Sequence, residues 1–309
     1  MPPVVAIFGP TGIGKTGVSI ELAALLAERG ERAVAVNCDS IQVYAGLEIL
    51  SGAPSPEERA RLEHRLVGFV PVDREFSAGR FAARAHAEID SLLAAGAWPL
   101  VVGGTGLYLR AALTELDLRP PVPAELRAAV EAEVAARGPE ALHAELPERF
   151  REWVEPADRK RVSRLTELLR AGHEPAADHL RGGGLWTADL RHPTLLAGLA
   201  MDDAALTARI SARVEAMAAA GAGAEAEAAA AAGASRTARA AIGFAEFPAG
   251  DLERVKTLHR RYGRRQMTWM RRMDGVEVFE RREEPDREVA RRILARAEAR
   301  GAASDRSSG

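Results

Sequence analysis

The chain has 309 residues, 47% of them hydrophobic and 5% aromatic, a net charge of −2 and one cysteine. That length supports one or two domains with a sizeable core, and the near-neutral balance excludes a polycation. The lone Cys38 excludes an internal disulfide and a cysteine-rich zinc site. With no secretory pattern at the start and no apolar run long enough to span a bilayer, a reducing cytoplasm is the expected setting.

The first element predicted is a buried strand over residues 3–9, carried by Val4-Val5-Ala6-Ile7-Phe8. It runs into Gly9, Pro10, Thr11, Gly12, Ile13, Gly14, Lys15 and Thr16, a G-x-x-x-x-G-K-T loop, and then into a helix over 17–29 that ends at Gly30. Strand, loop and helix in that order form a phosphate cradle: backbone N–H groups wrap the anion and the helix N-terminus adds positive potential. Lys15 supplies a compact charge for the distal phosphates and Thr16 a hydroxyl for Mg²⁺. Of the 42 lysines and arginines only Lys15, Lys160 and Lys256 are lysine. A lysine kept at the loop fits a site where a planar guanidinium does not. The motif specifies a polyphosphate without saying what it is attached to.

A second strand is predicted over Ala33 to Cys38, with Asp39 and Ser40 just past its carboxyl end, the edge where open α/β sheets bind ligands. There Asp39 is placed to ligate Mg²⁺, to act as a general base, or simply to cap a turn. A short helix opens at Pro56, and the periodicity of 78–95 predicts another. The strand Trp98 to Val102 leads into Gly103-Gly104-Thr105-Gly106, where paired glycines permit close backbone approach to a ligand. Thr105 offers a hydroxyl to a developing anion, or sits in an ordinary strand-to-helix turn.

Past the linker Arg119-Pro120-Pro121-Val122-Pro123 the chain reads as helix to about Gly172, then a Gly182–Gly184 loop, then a strand over Thr194 to Met201. Helices are predicted over 203–220, across much of the alanine-rich 216–234, and over 251–273. Arg209 and Arg213 share one helical face, either to clamp a pyrophosphate or as surface arginines. Two basic clusters stand out: Arg159, Lys160, Arg161 and Arg164, and Arg254 through Arg272 with Tyr262 and Trp269 interleaved. Each is a solvated helix face or a docking surface for a polyanion. Together beside a phosphate loop they favour nucleic acid. The expected fold is α/β: a P-loop NTPase-like parallel sheet with helices on both faces and an inserted helical domain. Residues 1–118 and 191–300 form the core, 119–190 the insertion and 301–309 a disordered tail.

The motifs together resemble the bacterial tRNA dimethylallyltransferases, in order over most of the chain. Besides the loop they are Asp39-Ser40-Ile41-Gln42-Val43-Tyr44, Gly103-Gly104-Thr105-Gly106-Leu107-Tyr108, Asp158-Arg159-Lys160-Arg161-Val162-Ser163-Arg164, Arg209-Ile210 through Arg213-Val214 and Met217, and Arg264-Arg265-Gln266-Met267-Thr268-Trp269. Lysines of the family pattern are missing at Ala53 and Ala245, and its P-H-H-L-I-D element survives only as Glu63-His64-Arg65-Leu66-Val67-Gly68.

The resemblance implies transfer of a dimethylallyl group from dimethylallyl diphosphate to the exocyclic amine of the adenosine 3′ of the anticodon, with pyrophosphate leaving and Mg²⁺ as cofactor. It implies Asp39, Thr105 and Lys15 as catalytic residues, the 9–16 loop and Arg213 on the diphosphate, and Thr16 on the metal. For tRNA it implies Asp39, Ser40, Ile41, Gln42, Thr105, Arg127, Lys160, Arg161, Val162, Ser163, Arg164, Arg264, Arg265 and Gln266. The expected partner is the tRNA anticodon arm, with the chain acting as a monomer away from membranes. A P-loop small-molecule or nucleotide kinase using ATP, and a divergent tRNA-binding protein with reduced catalysis, are the alternative readings.

Overall fold

A computed structural model describes residues 2–115, 122–173, 190–282 and 284–307, with side chains to residue 301. Contacts divide the chain into two compact units: Met1–Leu116 with Ala188–Gly309, and Asp117–Thr187.

The first unit is built on six parallel strands in the order β3-β2-β4-β1-β5-β6. They are β1 Val4–Phe8, β2 Ala33–Asn37, β3 His64–Arg65, β4 Trp98–Gly103, β5 Thr194–Met201 and β6 Val276–Arg281. A strand apolar on both faces must be covered on both. Alternation along β1 divides its side chains accordingly. Val4, Ala6 and Phe8 enter one core, with Phe81, Ile89 and Leu109. Val5 and Ile7 enter the other, with Leu22, Leu26 and Ile293.

The helices of the first core include α2 Glu48–Ser51, α4 Ala78–Ala94 and α5 Gly106–Leu113, whereas the short α3 Pro56–Arg61 buries no residue. The second core is covered by α1 Lys15–Ala27 and the C-terminal helix. In register, Phe8 lies beside Gly103 and Asn37 beside Val102. The segments after β1, β2 and β4 therefore leave the sheet on one edge.

The second unit packs α6 Ala124–Arg137, α7 Pro139–Glu145, α8 Glu148–Arg151 and α9 Arg159–Arg170 around its own core, where Val130, Val134, Leu142, Phe150, Val162 and Leu165 are buried. After β5 the first unit resumes with α10 Asp203–Ala219, α11 Ala222–Ala231, α12 Leu252–Met270 and α13 Asp286–Ser307. Gly221, at φ 97°, separates α10 from α11, which then buries Ala222, Ala226 and Ala229.

Residues 301–307, in the segment expected as a disordered tail, are assigned to α13. The strand β6 and helix α13 had no counterpart among the predicted elements. The expected Gly182–Gly184 loop and Arg119–Pro121 lie outside the described residues. No described helix is long and apolar enough to cross a membrane.

Candidate active site at the carboxyl edge of the sheet

Helix α1 starts at Gly14, whose φ of 93° suits glycine, and no side chain caps it. Its first N–H groups are left for a ligand, which is the physical basis of an anion site. Lys15 Nζ lies inside this cradle and donates to the Gly9 and Pro10 carbonyls at 3.0 and 3.1 Å. Burial, followed by the nearby Arg213, pushes the Lys15 amine down to about 8, with Asp39 opposing the shift.

Across the edge, Asp39 opens a turn held by its own side chain. Oδ1 accepts from the Ile41 N–H at 2.9 Å, and Oδ2 accepts from the Thr105 hydroxyl at 3.3 Å. Thr105 holds the N-cap position of α5 yet caps nothing. Its oxygen also takes the Ser40 N–H at 3.3 Å and lies 3.3 Å from the Tyr262 hydroxyl. Burial and the Asp39 charge raise the Tyr262 phenol, which keeps it a neutral hydrogen-bonding group.

Two arginines of α10 reach into the site, one to the phosphate loop and one to the end of α2. Arg209 Nε donates to the Gly12 carbonyl at 2.9 Å, and Arg213 Nη2 to the Ser51 carbonyl at 3.3 Å. Gly52, at φ 57°, makes room for Arg213, because a Cβ there would collide with the guanidinium. Arg213 Nε is buried without a partner, and burial lowers the pKa of this cation.

A cavity of about 920 Å³ joins these groups, lined by Lys15, Thr16, Asp39, Arg213, His259 and Tyr262 among others. A smaller one, about 240 Å³, is lined by Phe8, Thr105, Leu109, Trp269, Met270 and Met273. Gly104, Tyr262, Arg265 and Gln266 border both. Gln266 ties this border together: Oε1 accepts from the Thr11 N–H at 2.9 Å and Nε2 donates to the Gly104 carbonyl at 2.8 Å.

The structure thus brings together Lys15, Thr16, Asp39, Ser40, Ile41, Gln42, Thr105, Arg213, Arg265 and Gln266. Most of these polar side chains already have partners within the protein, Gln266 and Gln42 among them. Gln266 is buried in its bridge, and Gln42 Nε2 donates to the Gly52 carbonyl at 3.1 Å. Ile13 enters the core with its side chain, so only its backbone belongs to the loop. Arg264 is exposed, and Arg265 lies over the Tyr262 ring at 5.6 Å.

In the helical unit, Lys160 and Arg161 are exposed on α9. Arg164 pairs with the buried Glu167 at 2.9 Å, with Arg127 4.0 Å from the same carboxylate. Ser163 donates back to the Arg159 carbonyl. Val162 corrects an expectation: helical periodicity turns it into the unit's core, fully buried, where its side chain cannot touch RNA.

Sequence reasoning missed His259, which lines the larger cavity and is pushed down to about 4 by burial and Arg213. It also missed Arg281 and Asp286, taken up below. Among the described residues no group of three or more His, Cys, Asp or Glu side chains is arranged to hold a metal.

A family model described as IPP transferase matches residues 42–273. The chain belongs to the IPP transferase family. This family member is 38% identical over 292 residues to the tRNA dimethylallyltransferase of Thermobifida fusca, covering 88% of each chain. It is 40% identical over 286 residues to that of Anaeromyxobacter dehalogenans strain 2CP-C, covering 88% of this chain and 93% of the relative. Among solved structures, the tRNA isopentenylpyrophosphate transferase of Bacillus halodurans superposes with a TM-score of 0.70 at 26% identity, over 99% of this chain and 100% of that one. A eukaryotic dimethylallyltransferase acting on tRNA gives 0.73 at 24% identity, over 91% of this chain and 74% of that one, a likeness of fold. Against the family pattern, Ala53 lines the larger cavity whereas Ala245 is exposed. The first missing lysine therefore falls in the site and the second on the surface.

Proposed function

We propose that this IPP transferase moves a dimethylallyl group from dimethylallyl diphosphate to the exocyclic amine of the adenosine 3′ of the tRNA anticodon. The observation that carries the reading is the 3.3 Å link between Asp39 Oδ2, in the wall of the larger cavity beside the phosphate loop, and the Thr105 hydroxyl, in the wall of the smaller one. A kinase needs a nucleophile's base there as well. The family relationship selects the amine and the prenyl donor.

The diphosphate lies on the N–H groups of the 9–16 loop. Lys15 exchanges its contacts with the Gly9 and Pro10 carbonyls for phosphate oxygens, and Arg213 faces them from α10. Preorganised donors of this kind stabilise charge as it develops on a leaving group, each contributing about 2.7–4 kcal/mol. The target adenine is flipped out of its stack and meets Asp39 and Thr105. Its amine nitrogen bonds to the first carbon of the prenyl group while the carbon–oxygen bond to diphosphate breaks. The amine proton passes to Asp39 Oδ2.

The donor set suits Mg²⁺ only as an ion carried with the substrate. Thr16 lines the cavity, and no protein cage of carboxylates surrounds it among the described residues. Thr16 is the residue that would hold the ion, which would supply neutralisation of the diphosphate charge. Arg264 and Arg265, with Lys160 and Arg161 on the helical unit, contact tRNA phosphates, which position without specifying.

The test is incubation of pure protein with bulk tRNA and either labelled dimethylallyl diphosphate or labelled ATP. The reading expects prenyl label in RNA. ATP consumed without RNA labelling would replace it with a kinase, and salt-sensitive tRNA binding without any adduct would replace it with a binding protein.

A further inference from the structure

The site has a support that neither the loop motif nor the family relationship assigns. Arg281 is the last residue of β6 and faces inward two positions after Phe279, its side chain 4% exposed. One arm of its guanidinium donates to the Ile13 carbonyl of the phosphate loop, and the other pairs with the Asp286 carboxylate at the start of α13. The fit against the loop is close. A Cβ on Gly14 would collide with Arg281 Nη1, and one on Gly17 with Asp286 Oδ2. Asp286 also lines the larger cavity beside Thr16 and Gly17.

An anion nest works only while its N–H groups point inward, which requires the intervening carbonyls to point away. Ile13 is the residue before Gly14, where the backbone turns left-handed into α1. A planar, permanently charged fork presents two arms in fixed geometry to that carbonyl and the carboxylate, where an ammonium on a flexible stem would be less well oriented.

We propose that Arg281, braced by Asp286, is a positioning residue for the diphosphate: it fixes the Ile13 carbonyl outward and sets a buried positive charge against Gly14. The proposal rests on reading the 9–16 loop as the diphosphate cradle. It makes the C-terminal strand and helix part of the substrate site, not only a cover for the sheet.

The test uses the full chain titrated with inorganic pyrophosphate by calorimetry, with tRNA binding, melting temperature and steady-state kinetics measured in parallel. Arg281→Met should weaken pyrophosphate binding by about ten- to a hundredfold, the scale of a misplaced cradle, and raise the KM for dimethylallyl diphosphate more than it lowers kcat. Its tRNA affinity should stay unchanged. Arg281→Lys should recover part of the loss through its charge, and Asp286→Asn should weaken pyrophosphate in the same direction. Should Arg281→Met fail to fold, Asp286→Asn decides the matter by the same readout. Variants that bind pyrophosphate like the parent chain overturn the proposal. So does a parallel loss of pyrophosphate and tRNA affinity with no recovery in Arg281→Lys. Parent protein that does not bind pyrophosphate would instead remove the reading of the loop itself.

Discussion

In the proposed reaction Asp39 divides its two oxygens between structure and chemistry. Oδ1 holds the Ile41 N–H, and Oδ2 faces the Thr105 hydroxyl. Asp39→Asn keeps an acceptor for the turn and removes the base. Turnover should fall by about two to four orders of magnitude, the usual contribution of a general base, while tRNA affinity stays unchanged. Single-turnover rates with saturating tRNA measure this, and parent-like turnover would remove Asp39 from the chemistry. Lys15 adds a pH dependence. Its amine is depressed to about 8 by burial and by Arg213, so the empty site carries its cation below that pH and loses it above. The KM for dimethylallyl diphosphate should therefore be lowest below about pH 8 and rise as pH passes through that value. A KM flat from pH 7 to 9.5 would contradict the role given to Lys15.

At the scale of elements, α12 serves two surfaces at once. Its buried side carries Val255, His259, Gln266 and Met270, and its exposed side Arg261, Arg264 and Arg265. Charge reversal of Arg264 and Arg265 should weaken tRNA binding and flatten its salt dependence, because fewer counterions are released. Pyrophosphate binding should not change on charge reversal of Arg264 alone, which lines neither cavity. Filter binding from low to high salt measures the slope, and an unchanged slope would turn this helix away from the RNA.

The elements also show where the sequence was legible. The β1 strand, the phosphate loop and α1 could be read because a continuous apolar run meets a motif with strict spacing. Asp39 and Thr105 could be placed because strand ends in a parallel sheet share an edge. β6 escaped notice: only Phe279 and Arg281 of its six residues are buried, and Arg281 stands in a run of charges that reads as surface. Val162 was drawn into the RNA-facing set with its motif, although its helical phase points it inward. The bridge made by Gln266 spans 255 residues of sequence to reach Thr11, a separation that no local pattern encodes.

At the scale of the whole molecule, the proposed function gives the two units separable tasks. All groups that touch the larger cavity belong to the α/β unit, whereas the helical unit has a small core of its own around Phe150, which is 2% exposed. Phe150→Ala should cost about 3–5 kcal/mol, the usual penalty for emptying a buried phenylalanine site, a large fraction of what so small a core supplies. The expected outcome is a lower first melting transition and weaker tRNA binding, with pyrophosphate affinity retained. Calorimetric melting with parallel pyrophosphate titration checks it, and loss of both affinities would show that the units do not act separately.

The central claim is that the phosphate loop holds a diphosphate that departs while Asp39 deprotonates an adenosine amine. Mass spectrometry of nucleosides from tRNA treated with the pure protein and dimethylallyl diphosphate tests it most directly. The account expects adenosine bearing one five-carbon unit on its exocyclic nitrogen, absent when Asp39→Asn replaces the parent. Unmodified adenosine throughout, from a folded protein that binds both substrates, would contradict it.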